Sequence, residues 1–243
     1  MRIEPAPCQQ IRRAELSNEV LCPKDEARMI TRDYFLRMIH QLAHVLAKVL
    51  KLSELQRYDD ALEEVQLSSR QLLGMDLRLL TTLSDTEFVR LLSLGDRFDV
   101  EKCVVAAELL RLVGEVKELE GEEGVRFHCT TTSLSLFLEL LIWESGVLPK
   151  EYHDKIELLI GKLSTYELPV GLQAKLFRYY EAIGRYDAAE NVLFDVVQQD
   201  ATFVVEGLKF YARLRTKSAE ELERGNLPRD EVEASIKELE KRK

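Results

Sequence analysis

Apolar side chains recur at three- and four-residue intervals over most of the chain. Phe35, Met38, Ile39, Leu42, Val45, Leu46 and Val49 fall in one sector of a helical wheel turned by about 100° per residue. The spacing predicts a long amphipathic helix over 31–52, with Thr31 as N-cap and Asp33 in the first turn. A second helix is expected over 59–73, opened by Asp59-Asp60 and stopped by Gly74, because glycine takes the left-handed backbone that ends a helix. Ser84-Asp85-Thr86-Glu87 reads as a capping box that opens a short helix to Leu94. The next expected helix runs over 99–120, with Val104, Ala107, Leu110 and Leu112 as core, before a loop at Gly121 and Gly124.

Over 130–145 the amphipathic pattern is lost. Leu134, Leu136, Phe137, Leu138, Leu140, Leu141, Ile142 and Trp143 cover the whole circumference. A helix apolar all round is either buried on every side or a seam between two copies of the chain. The Thr130-Thr131-Thr132 run before it has β propensity and marks a candidate short strand. Pro149, Pro169 and Pro228 each precede a periodic, charged segment, as proline does at a first helical position. They define expected helices over 149–163, 169–183 and 228–241, with further helices over 187–199 and 202–223. The expected fold class is all-α: an array of about ten helices in antiparallel hairpins.

Proline punctuates the ends rather than the middle. None lies between Met29 and Leu148, while Pro5, Pro7 and Pro23 crowd the start. Residues 1–28 read as a weakly ordered N-terminal arm, and 29–243 as one helical-repeat-like domain. Met29 is a candidate start codon, with the arm arising from a misassigned gene start. The intact mass of the native protein tests that expectation.

One short pattern occurs twice. Arg57-Tyr58-Asp59-Asp60-Ala61 returns as Arg185-Tyr186-Asp187-Ala188-Ala189, each time between two expected helices. In the second copy Gly184 turns the chain, Tyr186 plugs the hairpin, Asp187 caps the next helix with Glu190, and Ala189 lets the two helices approach closely. Leu193 and Val196 continue the apolar face. This resembles the tetratricopeptide pattern over about 170–203, and in part over 42–75, where Gln56 replaces the turn glycine and Ser68 a small apolar residue. The resemblance implies a superhelix of paired helices with a divergent middle over 76–165. On that template Tyr58, Ala61, Gly184, Tyr186 and Ala189 pack the hairpins. Ala174, Arg178 and Glu181 line the inner surface and are the expected partner contacts. From Met29 onward the chain also resembles an uncharacterised bacterial family of unknown function. The residues that carry this are Arg32-Asp33-Tyr34 before a long apolar helix, the Tyr58 to Leu62 turn, and the Leu72-Leu73-Gly74-Met75 stop. This resemblance implies fold and a bacterial origin, and no chemistry.

Charge and side-chain chemistry narrow the function classes. With 34 basic and 43 acidic side chains the net charge is −9, and no dense basic run appears, so a nucleic-acid partner is not expected. The most apolar run is broken by Ser135 and Glu139, and no membrane association is expected. The cysteines Cys8, Cys22, Cys103 and Cys129 form no Cys-x-x-Cys pair, which fits a cytoplasmic protein without a disulfide framework. Gly121-Glu122-Glu123-Gly124 and Gly161-Lys162 lack the spacing of a phosphate-binding loop. His40 and His44 stand one helical turn apart and are the weak metal candidates. Between them Gln41 replaces the glutamate that acts as general base in the zinc-hydrolase motif. His128 and Cys129 are adjacent, which does not aim both at one point. The aromatic cluster Phe177, Tyr179, Tyr180, Tyr186, Phe194, Phe203, Phe210 and Tyr211 reads as core, with a peptide groove as the sharper alternative. The expected function is a non-enzymatic helical-repeat scaffold or interaction module that binds a protein or peptide and needs no cofactor. The alternatives are a structural protein that dimerises through helix 134–143, and a metal-dependent enzyme using His40 and His44.

Overall fold

The computed structural model describes residues 23–94, 97–143 and 150–241, with side chains over 38–93, 98–141 and 152–241. The chain divides into two units, 1–39 and 40–243. The class is all-α, as the periodicity predicts. Helices run over Pro23–Glu54 (α1), Tyr58–Leu73 (α2), Leu77–Thr82 (α3), Asp85–Leu92 (α4), Val100–Glu120 (α5) and Glu123–Trp143 (α6). They continue over Lys150–Leu163 (α7), Val170–Ala182 (α8), Tyr186–Gln199 (α9), Val204–Arg215 (α10), Ala219–Arg224 (α11) and Arg229–Glu240 (α12). A two-residue antiparallel ladder pairs Ser93–Leu94 (β1) with Arg97–Phe98 (β2) between α4 and α5.

In the second unit the hairpin α5–α6 forms the core. Helix α2 packs on α5, while α7 and α8 pack on α6. Twelve of the 21 residues of α5 are buried, so more than half of that helix is enclosed within the hairpin and its neighbours. The two helices approach closely at Gly114, where a Cβ would lie 2.9 Å from Thr130 Oγ1. Across the contact the Ser133 hydroxyl donates to the Ala107 carbonyl at 2.7 Å. Farther along the chain α8 pairs with α9, and α10 with α12. Gly207 of α10 sits where a Cβ would press on Leu239 of α12 at 2.7 Å and on Leu193 of α9 at 2.9 Å.

Several expected boundaries are corrected. Helix α1 begins at Pro23, so Thr31 lies inside it rather than at its N-terminus. Of the expected arm, 23–28 are helical and 1–22 lie outside the described residues. Helix α6 opens at Glu123 rather than at 130, and the three threonines belong to it rather than to a strand. The hydroxyls of Thr130 and Thr131 donate to the carbonyls of Arg126 and Phe127 at 2.7 and 2.8 Å. That bond back to the preceding turn satisfies a buried hydroxyl without leaving the helix. Leu134, Leu136, Phe137, Leu138, Leu140 and Leu141 are buried within the chain. The described part of 134–143 is therefore core, with no face left for a second copy; the side chains of Ile142 and Trp143 lie outside the described residues. The expected helix over 202–223 is broken into a 3₁₀ turn at Ala201–Phe203, α10 and α11, because Ser218 and Glu221 form a capping box that starts a new helix. Pro169 and Pro228 occupy N-cap positions with extended backbone, one residue ahead of the expected place; Pro149 lies outside the described residues.

Candidate functional site

The turn between α8 and α9 sets the geometry of a cleft that gathers expected contact residues. Gly184 takes φ +77°. The amides of Ile183, Gly184 and Arg185 donate to the carbonyls of Tyr179, Glu181 and Tyr180 at 3.0, 3.1 and 2.9 Å. Tyr186 and Ala189 are buried behind this turn. Arg185 rather than the expected Asp187 is the N-cap of α9; Asp187 lies in the first turn, where its carboxylate accepts from the Ala188 amide at 2.7 Å, and Glu190 takes no part in the cap. The Asp187 amide donates to the Gly225 carbonyl at 3.1 Å, and its carboxylate accepts from Asn226 Nδ2 at 3.1 Å. Glu190 accepts from the Tyr211 hydroxyl at 2.7 Å. The segment after α11 is thus fastened onto the α8–α9 turn.

In front of that turn lies an open cleft of about 760 Å3, between the C-terminal ends of α8 and α10. Its walls include Arg178, Glu181, Ala182 and Ile183 from the first side, and Arg213 and Lys217 from the second, with Tyr186 also lining it. Arg213 grips Glu181 with a two-pronged bond, Nε to Oε1 at 2.6 Å and Nη2 to Oε2 at 2.8 Å. Such paired geometry is stronger and more directional than a single charged hydrogen bond. The hydrogen bond to Glu181 and the nearby charges of Glu181 and Glu206 hold the Arg213 guanidinium above its ordinary pKa. Lys217 pairs with Glu221 at 3.3 Å. Arg178 is exposed and has no acidic partner among the described residues.

Two of the three expected contacts, Arg178 and Glu181, therefore meet in the cleft. Ala174 is half-buried on α8 and is not in the lining. The packing residues Tyr58 and Ala61 stand at the α1–α2 turn, Tyr58 half-buried and Ala61 buried. Arg213 and Lys217 were not anticipated. Their signal was the Ser218-Ala219-Glu220-Glu221 capping box, which ends the preceding helix and brings both cations to a helix end. Within the aromatic cluster Phe177 packs edge-on to Phe203 and Phe210, with centroids 5.6 and 5.2 Å apart, and Phe177, Phe210 and Tyr211 are buried as core.

Other reactive-looking groups are held by their neighbours. Ser135 Oγ and Lys175 Nζ lie 2.8 Å apart, which resembles a serine–lysine nucleophile pair. However, Ser135 donates to Asp85 Oδ2 at 2.6 Å, and Lys175 faces Asp85 at 3.2 Å and Glu139 at 3.0 Å. Burial opposes ionisation of Asp85, but the Ser135 hydrogen bond and the Lys175 charge outweigh it and keep the carboxyl below its ordinary value. A lysine held by two carboxylates is not a general base, so this cluster joins α4, α6 and α8 structurally. Burial pushes the thiols of Cys103 and Cys129 up, the second to about 12, so neither is a thiolate near neutral pH. Glu108, fully buried on α5, is met by Arg111 at 3.0 Å and by Lys155 of α7. His40 and His44 are both exposed on α1, and no cluster of three metal-ligating side chains occurs among the described residues. No described helix is long and apolar enough to cross a membrane.

A fold of paired helices with a charged cleft defines a class of architecture rather than an activity. The chain belongs to the family of unknown function DUF6483, whose pattern it matches over residues 29–243. Among curated proteins and solved structures none matches it.

Proposed function

We propose that the chain is a non-enzymatic interaction module of the cytoplasm, a helical-repeat scaffold that holds a segment of a partner protein in the α8–α10 cleft. The observation that carries this reading is the cleft itself: about 760 Å3, open, and lined by apolar and charged side chains together. Its volume falls in the range of about 300–1,000 Å3 that ligand clefts occupy. Arg178 stands in it with no acidic partner among the described residues. The tetratricopeptide resemblance supports the reading by analogy. Helix α10 begins at Val204 and α8 at Val170, an offset equal to the repeat of about 34 residues in that family. Cys103 and Cys129 are unpaired in the interior, as in proteins of reducing compartments.

A pull-down from host lysate with wild type beside Arg178→Glu and Ala182→Trp, read by mass spectrometry, tests the reading. A protein captured by wild type and lost with both cleft variants is the expected result. Recovery of the same proteins by all three forms would remove the cleft from the function. Recovery of the chain alone would point to self-association through some face other than the buried part of α6.

A further inference from the structure

The charges around the cleft point to the chemistry of its occupant. Among the lining residues, Arg178, Arg213 and Lys217 are cationic and only Glu181 is anionic, in a chain whose total charge is −9. The ends of α8 and α10 add the partial negative charge of helix C-termini, which Arg213 and Lys217 answer. Glu181 is already taken: both of its oxygens are bound by Arg213. Arg178, one turn before the end of α8, is the cation left over. Next to it Ala182 and Ile183 are exposed, and an exposed isoleucine beside an unengaged guanidinium offers an apolar rest and a carboxylate fork side by side.

We infer that the cleft takes an acidic peptide segment of the partner, with an aspartate or glutamate carboxylate on Arg178 and a neighbouring apolar side chain on Ala182 and Ile183. This rests on the interaction-module reading above. The guanidinium binds a carboxylate through two parallel N–H···O bonds, which fixes the orientation of the segment. The apolar wall then selects segments in which acidic and apolar residues alternate over simple runs of acid. Because the contact is exposed, its strength falls as salt screens it, with a screening length of about 8 Å at physiological ionic strength.

Arrays of twelve-residue peptides in random order test this directly. One set combines Asp and Glu with Leu and Tyr, a second replaces the acids by Asn and Gln, and a third by Lys and Arg; all have blocked termini. Binding of the full chain is read by fluorescence anisotropy, and circular dichroism confirms that each variant keeps its helices. The expected result is that the acidic set binds best, that Arg178→Glu weakens it at least tenfold, and that Arg178→Lys retains part of the affinity. If the neutral or basic set binds as tightly as the acidic one, and Ala182→Trp weakens it, the acidic ligand is overturned while the interaction module stands. If Ala182→Trp changes binding of none of the sets, or if none binds, both are overturned.

Discussion

At Gln56 and again at Gly184 the chain leaves one helix through the left-handed region, with φ +57° and +77°, and enters the next at a tyrosine. The two turns share their backbone bonds. The amides of Leu55, Gln56 and Arg57 donate to the carbonyls of Lys51, Ser53 and Leu52, spaced as the amides of Ile183, Gly184 and Arg185 are from theirs. Arg57 and Arg185 have nearly equal dihedrals, φ −95° ψ 66° and φ −89° ψ 73°. Ala61 and Ala189 are both fully buried. What differs is what rests on each turn. Arg57 pairs locally with Asp60 at 2.6 Å, whereas Arg185 reaches Glu157 of α7 at 3.2 Å and lies over the Tyr180 ring. The Gly225 carbonyl and the Asn226 side chain are docked on the second turn. A short local pattern therefore suffices to make the turn, and the cleft comes from the elements that a later part of the chain lays against it.

The sharpest way to break this comparison is at Gly225. A Cβ there would lie 2.2 Å from the Tyr186 ring and 2.7 Å from the Gly184 carbonyl, and backbone on one side leaves little room to yield. Gly225→Ala should destabilise by about 3 kcal/mol, at the upper end of overpacking costs. For a chain of this size that is a fall of roughly 6–12 °C in the thermal midpoint. Hydrogen exchange should show the Asp187 amide, which bonds the Gly225 carbonyl, losing protection before the α5–α6 core does. An unchanged midpoint would mean that the second turn does not depend on its cover.

The next effect in size compares the two small residues at the helix crossings. Ala189→Leu and Ala61→Leu should each destabilise by about 1–3 kcal/mol, since both sites are fully buried and extra methylenes have no empty space to fill. Thermal melts of the two variants measure this. Equal losses would support the two crossings as equivalent. A loss at only one would show that only that crossing is tight.

These two turns were legible because their pattern is local: a turn residue, a tyrosine and a small residue at fixed spacing. The capping box at Ser84 was legible for the same reason, and it forms with both hydrogen bonds in place. The break after α10 shows the limit. Its capping box at Ser218 is just as local, but the apolar periodicity runs across it, and the period alone joins two helices into one. Helix α6 was harder for another reason. A segment apolar all round carries no phase, so core and dimer seam fit its sequence equally, and only the packing of α5, α7 and α8 around it decides. For the cleft, Arg178 and Glu181 followed from the repeat template. Arg213 and Lys217 belong to a helix end that the template did not contain, and their meeting with α8 is a contact across 32 or more residues of chain.

The smallest effect separates the two turns at the residue where their sequences differ most. A Cβ added at Gly184 would meet no atom within 4 Å, so Gly184→Ala is opposed by backbone strain alone. A left-handed residue other than glycine costs roughly 1–2 kcal/mol, and the variant should lose about 1 kcal/mol. Gln56 already carries that strain at φ +57°. Gln56→Gly removes it, but gives the unfolded chain more freedom to lose, a term of about 0.5–1 kcal/mol in the opposite direction. The net expected change is a gain of about 0.5 kcal/mol, near 1–2 °C in the thermal midpoint. A loss on Gln56→Gly would show that the glutamine side chain holds the first turn by contacts of its own, and the two turns would then be alike in backbone but not in cause.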